Sequence, residues 1–389
     1  MMRTVLLTLG FVAALVGATA KLAAFETQAT SAFVLDHSTG TVLLSKDADV
    51  PLPPASMSKL MTLYVAFEAV RDGRLKMDDT LRVSEHAMSY GGSTMFLQAG
   101  ERVKVSDLIT GIIVLSGNDA CAVIAEALSP DGTEAGFSRF MTERAKKLGM
   151  THSTFANSNG WPNPRHRMSM RDLAILGGRI IDDFPEFYTM FSQKEFLFDE
   201  KESQNRFNRN PLLGLGIGAD GLKTGHTQEA GYGLVGSVAQ GSRRIIFVIS
   251  GLQTEQARAR EAEAITNWAF RQFTTAQLLQ EGQVVAEADV WMGETTRVAL
   301  TAGKALNTLV PSGSDGKVDA EVVYSGPLRA PVTAGDTVGT LIIRPEGLAA
   351  TEVPLVAATS VAQGGVMVRL KTASRKVMKK LLAEAEGAL

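Results

Sequence analysis

Residues 54–62, PASMSKLMT, place a serine and a lysine three positions apart just after two prolines. From Met57 to Val70 the apolar residues recur at helical spacing, so this stretch predicts a helix that begins beside the prolines. Ser56 and Lys59 are then one turn apart on the same face of that helix. A serine in this position on its own is ordinarily an N-cap, so its meaning depends on the rest of the chain.

The pattern around this helix favours an α+β layer fold, because helices are inserted between β-hairpins and no regular βαβ repeat is present. Hairpins are predicted where two β-rich runs flank turn residues, at 31–36 with 41–45 and at 231–239 with 243–249. Further helices are predicted at 107–115, 119–128, 136–147 and 261–273.

Near residue 275 the pattern changes to short β-rich segments separated by turn residues, which predicts a second, small all-β domain. These segments are 283–286, 289–292, 297–300, 320–324, 340–344 and 352–356. We therefore predict a catalytic domain at 25–275 and a β-rich domain at 276–365, the latter acting as a spacer or docking module. Two domains are also the usual expectation for a chain of 389 residues.

Both chain ends carry membrane-related patterns. Residues 1–24 combine a positive start, a short apolar run and small residues, which predicts a secretory signal peptide cleaved after Ala20 or Ala24. A retained N-terminal anchor is the alternative, although the apolar run is short for spanning a bilayer.

Residues 366–389 include six basic and no acidic residues in 369–380, with apolar residues on the opposite helical face. This predicts an amphipathic helix lying in the membrane interface, against the alternative of a solvated charged terminus.

The composition excludes several classes of function. Lys and Arg number 39 against 41 Asp and Glu, so nothing in the overall charge favours a nucleic-acid partner. The 45% hydrophobic content is that of a folded globular protein and not of a multi-span membrane protein. The single cysteine, Cys121, permits no internal disulfide.

Two further motifs follow the first in chain order. Ser116–Asn118 (SGN) lies in the connection between two predicted helices, and Lys223–Gly225 (KTG) lies at the start of the second hairpin region. The five histidines are scattered singly, without the spacing of a metal site, and no Gly-x-Ser-x-Gly motif is present. We therefore predict serine chemistry without a histidine base, a metal or a cofactor. A second Ser-x-x-Lys, Ser314–Lys317, lies in a glycine-rich turn with no helix to align its ends.

The chemistry requires these residue types. A serine hydroxyl is a weak nucleophile until a base takes its proton, and lysine can be that base only when it is neutral. Burial of Lys59 and the positive charge of Lys223 would both favour the neutral amine. The N–H of Ser56 and an N–H of the strand after the KTG motif would form an oxyanion hole. Gly225 would let a substrate backbone add to that strand, beside a lysine and a threonine suited to a terminal carboxylate.

Ser-x-x-Lys, Ser-x-Asn and Lys-Thr-Gly together are the motif set of β-lactamases and penicillin-binding proteins. The chain resembles the low-molecular-mass D-alanyl-D-alanine carboxypeptidases of the penicillin-binding protein 5 type. The resemblance rests on 54–62, on 115–121 (LSGNDAC), on 149–160 (GMTHSTFANSNG) and on 220–232 (DGLKTGHTQEAGY). It implies a β-lactamase/transpeptidase-like domain, with an antiparallel sheet and helices, then a small all-β domain and a C-terminal amphipathic helix.

The resemblance also implies the roles of the catalytic residues. Ser56 would be the acylated nucleophile and Lys59 the general base. Ser116 would relay protons, and Asn118 would hold the substrate amide.

For substrate binding, the resemblance implies that Lys223 and Thr224 address the terminal carboxylate and that the N–H of His226 completes the oxyanion hole. An arginine on an Arg-Glu-Ala-Glu segment would help to bind that carboxylate. Arg260 matches this segment, and Arg258 is close enough to leave the choice between them open.

The function implied is removal of the terminal D-alanine from peptidoglycan pentapeptide stems, with β-lactam antibiotics as inhibitors. The implied location is the periplasmic face of the cytoplasmic membrane, as a peripheral protein. A DD-endopeptidase that cleaves cross-links is the nearer alternative. A β-lactamase is the more distant one, since 157–173 contains no glutamate for deacylation. A non-catalytic wall-peptide scaffold is disfavoured because all three motifs are intact.

Overall fold

The computed structural model describes residues 2–9, 25–198 and 206–366, which fall into two compact units. One unit spans Ala24–Phe270. The other contains strand β1, Met2–Leu9, and the chain from Arg271 onward. The predicted boundary at 275/276 falls inside a strand, Phe273–Leu279, that pairs within the second unit.

The first unit is built on a five-stranded antiparallel sheet with helices on both faces, which confirms the predicted α+β class. Its strands are β2 (Ser31–Asp36), β3 (Thr41–Lys46), β4 (Thr80–Arg82), β5 (Arg102–Lys104), β6 (Ala219–Thr227), β7 (Gly231–Gln240) and β8 (Arg243–Leu252). The sheet order is β3-β2-β8-β7-β6, and β4 pairs separately with β5. Both predicted hairpins are present, as β2–β3 and β7–β8.

The helices of this unit are α1 (Lys59–Arg71), α2 (Glu85–Met88), α3 (Val105–Val114), α4 (Asn118–Leu128), α5 (Glu134–Lys147), α6 (Met170–Asp183), α7 (Pro185–Tyr188) and α8 (Glu255–Arg271). Short 3-10 turns lie at Ala55–Ser58 and Thr189–Ser192. The predicted helices are confirmed with shifted ends, whereas α2, α6 and α7 were not predicted. None of the helices in the described part of the chain has the length and hydrophobicity needed to cross a bilayer.

Successive side chains of a strand point to opposite faces of the sheet, so the hydrophobic core is divided between these two faces. Ile246 and Val248 of β8 pack with the large helical cluster that contains α1, α3 and α4. Phe247 and Ile249 point to the opposite face, where Ile265 of α8 covers them. The helix that carries Lys59 packs against α3, α4, α5 and α6, and nearly all of its residues are buried.

The second unit is an all-β domain, as predicted. Its strands beyond β1 are β9 (Phe273–Leu279), β10 (Val284–Trp291), β11 (Arg297–Thr301), β12 (Leu306–Pro311), β13 (Val318–Ser325), β14 (Leu328–Arg329), β15 (Thr337–Pro345) and β16 (Thr351–Ala357). A seven-stranded sheet has the order β1-β13-β15-β16-β11-β10-β14, and β12 pairs with β9. Two predicted segments, 283–286 and 289–292, fall mostly within the single strand β10, while β9, β12 and β14 were not predicted.

The predicted terminal segments are only partly described. Strand β1 pairs antiparallel with β13, from Met2 opposite Ser325 to Leu9 opposite Val318. The remainder of the predicted signal peptide lies outside the described residues. The predicted C-terminal helix at 366–389 also lies outside them, apart from Val366.

Candidate active site

Ser56 lies in the 3-10 turn that leads into α1, so the α-helix begins at Lys59 and not at Met57 as predicted. The preceding residue, Ala55, has a φ of 48°, which a residue with a side chain rarely adopts. A methyl group on Gly160 would overlap the carbonyl oxygen of Ala55, so the two backbones are in close contact. This packing holds the strained turn that presents the serine hydroxyl.

The amine of Lys59 is surrounded by three oxygen atoms. Its Nζ lies 2.8 Å from Oγ of Ser56, 2.7 Å from Oδ1 of Asn118 and 2.7 Å from the carbonyl oxygen of Asn159. The side chain of Lys59 is completely buried. The first two motifs and the 149–160 stretch therefore converge on a single nitrogen atom.

The orientation of the Asn118 side chain is fixed by its other contacts. Its Nδ2 donates a hydrogen bond of 2.8 Å to the carbonyl of Gly91, and a carbonyl can only accept. Its backbone N–H donates to the carbonyl of Ser93 over 2.7 Å. Oδ1 must therefore be the end of the amide that faces Lys59.

The second and third motifs meet through Ser116 and Lys223. The Nζ of Lys223 donates to Oγ of Ser116 over 3.0 Å and to the carbonyl of Thr224 over 3.2 Å. Ser116 has a φ of 63°, a second left-handed backbone in a catalytic motif. Both side chains are buried, so a charge on Lys223 is screened little by solvent.

Burial shapes the ionisation of both lysines. It lowers the pKa of Lys59 to about 8, and the nearby charge of Arg209 acts in the same direction. Burial also places the pKa of Lys223 well below its usual value, with further lowering by the charges of Lys59, Arg209 and Arg258. The site therefore favours a neutral amine at a pH where an exposed lysine would be charged.

Strand β6 carries the third motif at the edge of the sheet. Among the described strands it pairs only with β7 in this sheet, so its other edge is open to an added strand. Thr224 is buried beside Lys223, whereas His226 is exposed and stacks on Tyr232 with ring centroids 3.8 Å apart. Three of the predicted substrate-binding residues, Lys223, Thr224 and His226, thus lie on one edge strand.

Gly225 packs closely against the turn that carries Ser56, a contact that the sequence analysis did not predict. A Cβ on this residue would lie 3.0 Å from both Cγ of Met57 and the carbonyl oxygen of Pro54. The glycine lets the turn that carries Ser56 pack directly on β6. This packing role adds to the predicted one, the approach of a substrate backbone to β6, which stays a prediction.

The structure separates the two candidate arginines on α8. Arg260 is exposed, whereas Arg258 is 3% exposed. Arg258 donates 3.2 Å to the carbonyl of Arg209 and 2.8 Å to Glu255. Within the described residues its Nε has no hydrogen-bond partner. Its guanidinium lies 5.8 Å from the centre of the Tyr232 ring, and Tyr232 pairs with His226 of β6. Arg258 is therefore a buried arginine beside the strand of the third motif, and its charge also lowers the pKa of Lys223.

Two residues of the site were missed by the sequence analysis. Arg209 donates to Oγ of Ser93 over 2.7 Å and to the carbonyl of Leu115 over 3.3 Å, which places a cation beside the lysines. Nothing in its local sequence marks it. Asp119 directly follows the second motif and accepts the N–H groups of Met95, Leu97 and Ala120. Asp119 lies inside the 115–121 stretch on which the resemblance rests, and this position could have identified it as a residue of the site.

The described residues contain no group of three or more His, Cys, Asp or Glu side chains arranged to hold a metal ion. The chemical groups that converge are two buried lysines, two serines and an asparagine, beside an arginine. This arrangement is suited to acyl transfer through a serine whose base is an amine.

Comparison with known proteins agrees with this geometry. The model of the family described as D-alanyl-D-alanine carboxypeptidase, Peptidase S11, matches residues 17–254, and that of the penicillin-binding protein 5 C-terminal domain matches 273–363. The D-alanyl-D-alanine carboxypeptidase DacC of Escherichia coli K12 is 36% identical over 345 residues, covering 87% of this chain and 85% of DacC.

Solved structures show the same relationship. Penicillin-binding protein 5 from Haemophilus influenzae aligns with a TM-score of 0.78 and 31% identity over 89% of this chain and 100% of that one. Penicillin-binding protein D2 from Listeria monocytogenes, solved in its ampicillin-bound form, aligns with a TM-score of 0.57 and 31% identity over 63% of this chain and 98% of that one. The chain therefore belongs to the Peptidase S11 family of D-alanyl-D-alanine carboxypeptidases.

Proposed function

We propose that this protein is a serine-type D-alanyl-D-alanine carboxypeptidase that removes the terminal D-alanine of peptidoglycan pentapeptide stems through an acyl-enzyme on Ser56. The observation that carries the proposal is the contact of the Lys59 amine with the Ser56 hydroxyl at 2.8 Å inside a buried site. Family membership and the DacC relationship support the same reaction.

The proton transfer follows from the three partners of Lys59. Oδ1 of Asn118 and the carbonyl of Asn159 can only accept hydrogen bonds, so each takes one N–H of the amine. In the neutral amine the remaining position is a lone pair, and it is directed at the third partner, the Ser56 hydroxyl. Lys59 is therefore oriented to take the serine proton as Oγ attacks.

The reaction then proceeds in two steps. Oγ of Ser56 bonds to the carbonyl carbon of the penultimate D-alanine, and the C–N bond to the terminal D-alanine breaks. The proton taken by Lys59 reaches the leaving amine by way of Ser116. Water then hydrolyses the ester and restores the Ser56 hydroxyl. The N–H groups of Ser56 and His226 would bind the oxyanion in both steps.

The terminal carboxylate of the substrate would bind at Lys223, Thr224 and Arg258. We assign Arg258 in place of Arg260 because it is buried beside the third motif and Arg260 is exposed. A carboxylate that binds beside Lys223 raises the pKa of this amine and so favours its charged form, and that charge disfavours a second charge on Lys59. Substrate binding thus favours the basic form of the catalytic amine.

β-Lactams would bind as substrate mimics and acylate Ser56. Residues 157–173 contain no glutamate, and this region supplies to the catalytic amine only the carbonyl of Asn159. A base for rapid release of the penicilloyl ester is not provided by this stretch, which favours a penicillin-binding peptidase over a β-lactamase.

We further propose export through the signal peptide at 1–24 and peripheral attachment to the periplasmic face of the cytoplasmic membrane through 366–389. Anionic lipid attracts basic residues with about 1 kcal/mol each near the surface, so attachment should be salt-sensitive. Salt-washed membranes carrying the full chain or a chain ending at residue 365 test this. Equal retention of both would refute the attachment.

The activity itself is tested with a labelled penicillin followed by peptide mapping, alongside D-alanine release from a pentapeptide. Ser56→Ala is expected to abolish both signals. Ser314→Ala removes the serine of the other Ser-x-x-Lys sequence and is expected to retain both. D-alanine release by the Ser56→Ala protein would overturn the assignment, and faster cleavage of a cross-linked dimer than of the pentapeptide would favour the endopeptidase.

A further inference from the structure

A separate cavity is lined in part by Trp161, whose ring also lies close to Gly92 beside Asn118 of the second motif. Its volume is about 570 Å³, within the usual range for a site that binds a small molecule or a side chain. The wall is built by the residues around α2, the end of α4, the start of α5 and the 156–163 segment. The reaction described above uses none of its side chains.

The wall of this cavity is acidic and aromatic. Glu126 and Glu134 both line it, and the lining contains no lysine or arginine. Tyr90 and Trp161 provide aromatic surface, with ring centroids 5.9 Å apart and an edge-to-face arrangement. Carboxylates beside aromatic rings form a favourable environment for an ammonium group, through charge and through cation–π attraction.

The carboxylates of Glu134 and Glu126 differ in burial and in their hydrogen-bond partners. Glu134 is buried and accepts hydrogen bonds from His86, from Tyr90 and from the N–H and hydroxyl of Ser158. Burial acts to raise its pKa, but these hydrogen bonds outweigh it and keep the pKa below the usual value.

Glu126 is only half-buried, and one of its oxygens accepts from Ser84 over 2.8 Å. Its second oxygen accepts no hydrogen bond from the described residues. The hydrogen bonds of Glu134 come from neighbouring side chains and backbone and give it a structural role. Glu126, in contrast, has an oxygen available to a bound cation.

The cavity is next to the position of the substrate backbone. A Cβ on Gly92 would lie 3.3 Å from Nδ2 of Asn118 and 3.4 Å from Cζ3 of Trp161, so one glycine is flanked by both side chains. The neighbouring Gly91 accepts the Asn118 amide and lies under the same indole ring. A substrate whose amide is held by Asn118 therefore has its preceding residue within reach of Trp161 and the cavity behind it.

We propose that this cavity binds a protonated amine on the side chain of the residue that precedes the D-alanyl-D-alanine end of the stem peptide. The inference rests on the proposed carboxypeptidase function. It adds a binding site that would make the enzyme prefer stem peptides with an amine on this side chain. Glu126 pairs with the ammonium group, and the rings of Tyr90 and Trp161 contact the alkyl chain and the charge.

Three pentapeptides test the proposal, identical except for L-lysine, Nε-acetyl-L-lysine or L-norleucine at the third position. The kcat/KM for D-alanine release is expected to be about tenfold higher for the lysyl peptide than for the other two, the size of one charge-assisted contact. Glu126→Gln removes the charge but keeps an acceptor for Ser84, and it is expected to bring the three peptides to within about twofold.

The controls separate a binding effect from a folding defect. Glu143→Gln removes the same charge from an exposed residue of α5 that pairs with Lys146, and it is expected to retain the preference for lysine. The thermal unfolding midpoint of Glu126→Gln should equal that of the unmodified chain. Should that variant unfold, Trp161→Leu provides the second test, because losing the exposed indole is expected to reduce the preference severalfold.

Equal rates for the three peptides with the unmodified protein would overturn the cavity assignment while leaving the carboxypeptidase function intact. A lysine preference that persists in Glu126→Gln would also overturn it. Absence of D-alanine release from all three peptides would instead refute the proposed function, and this inference with it.

Discussion

The amine of Lys59 donates to Oδ1 of Asn118 over 2.7 Å, and the other end of that amide is held by the carbonyl of Gly91. This asparagine therefore has two effects on the amine. It fixes the rotation of the amine so that its third position faces Ser56. Its oxygen is neutral, so it favours the charged form of the amine less than a carboxylate would. The predictions below follow from this arrangement and from the packing around it.

Asn118→Asp keeps the shape of the contact and replaces the neutral oxygen with a carboxylate beside Lys59. An opposite charge at hydrogen-bond distance raises the pKa of the amine and so removes the neutral base near pH 7. We expect penicillin acylation of Ser56 at pH 7 to fall at least about tenfold. The matched control is Asn307→Asp, which adds the same charge at an exposed residue of β12. Unchanged acylation in Asn118→Asp would contradict this reading of the contact.

The pH dependence of the free enzyme should follow the ionisation of Lys59. The neutral form is active and the pKa is lowered to about 8, so kcat/KM should rise with pH to a plateau, with its midpoint near 8. Arg209 contributes to that lowering, so Arg209→Gln should raise the pKa and move the rising limb to higher pH. Arg139→Gln removes an exposed arginine that pairs with Asp131 and should leave the profile in place. A limb that moves to lower pH in Arg209→Gln would show that the sign of this argument is wrong.

Gly225→Ala tests the packing of the nucleophile turn on β6. The added methyl would press on Met57 and on the carbonyl of Pro54, so the turn that carries Ser56 must shift. Overpacking of this kind costs about 1–3 kcal/mol in unfolding free energy, and we expect at least about tenfold slower acylation. Gly214→Ala is the control, since that exposed glycine has ordinary φ and no atom within 4 Å of the added carbon. Denaturant unfolding and penicillin labelling measure the two effects, and full activity in Gly225→Ala would be inconsistent with the contact.

The two arginines of α8 should differ in their effect on the substrate carboxylate. Arg258→Ala removes a buried cation beside the third motif, and charge-assisted hydrogen bonds of about 1.5–3 kcal/mol correspond to a loss of roughly 10- to 100-fold in kcat/KM. Arg260→Ala changes an exposed residue and should have little effect. A pentapeptide ending in D-alaninamide lacks the carboxylate, so Arg258→Ala should not slow its turnover further. The opposite ranking of the two variants would return the assignment to Arg260.

The parts of the fold with strong local patterns were predictable from the sequence. The hairpins flanking turn residues and the apolar run of α1 are each specified within a dozen residues, and the three motifs identified Ser56, Lys59 and Lys223. Helix α6 was missed although its start is marked, since Ser169 caps it by accepting the N–H of Asp172. Its position after a loop rich in proline and asparagine obscured that signal.

Other parts of the site depend on tertiary packing and have no local signal. The third partner of Lys59 is a backbone carbonyl, that of Asn159, which any residue type could supply. The choice between Arg258 and Arg260 depends on which face of α8 meets the sheet. The two arginines are two positions apart, so their side chains leave the helix on different faces. Arg209 reaches the site from a loop far along the chain, and the reason for Gly225 appears only when the Ser56 turn is packed on β6.

The central claim is that Lys59 acts as a neutral amine, and its titration measures that state directly. Protein carrying 13C at the lysine Cε positions can be titrated by NMR, with the Lys59 resonance assigned by its absence in Lys59→Arg. The account predicts a pKa near 8 for this amine, far below that of an exposed lysine. A Lys59 amine that stays fully charged up to about pH 10 would contradict it.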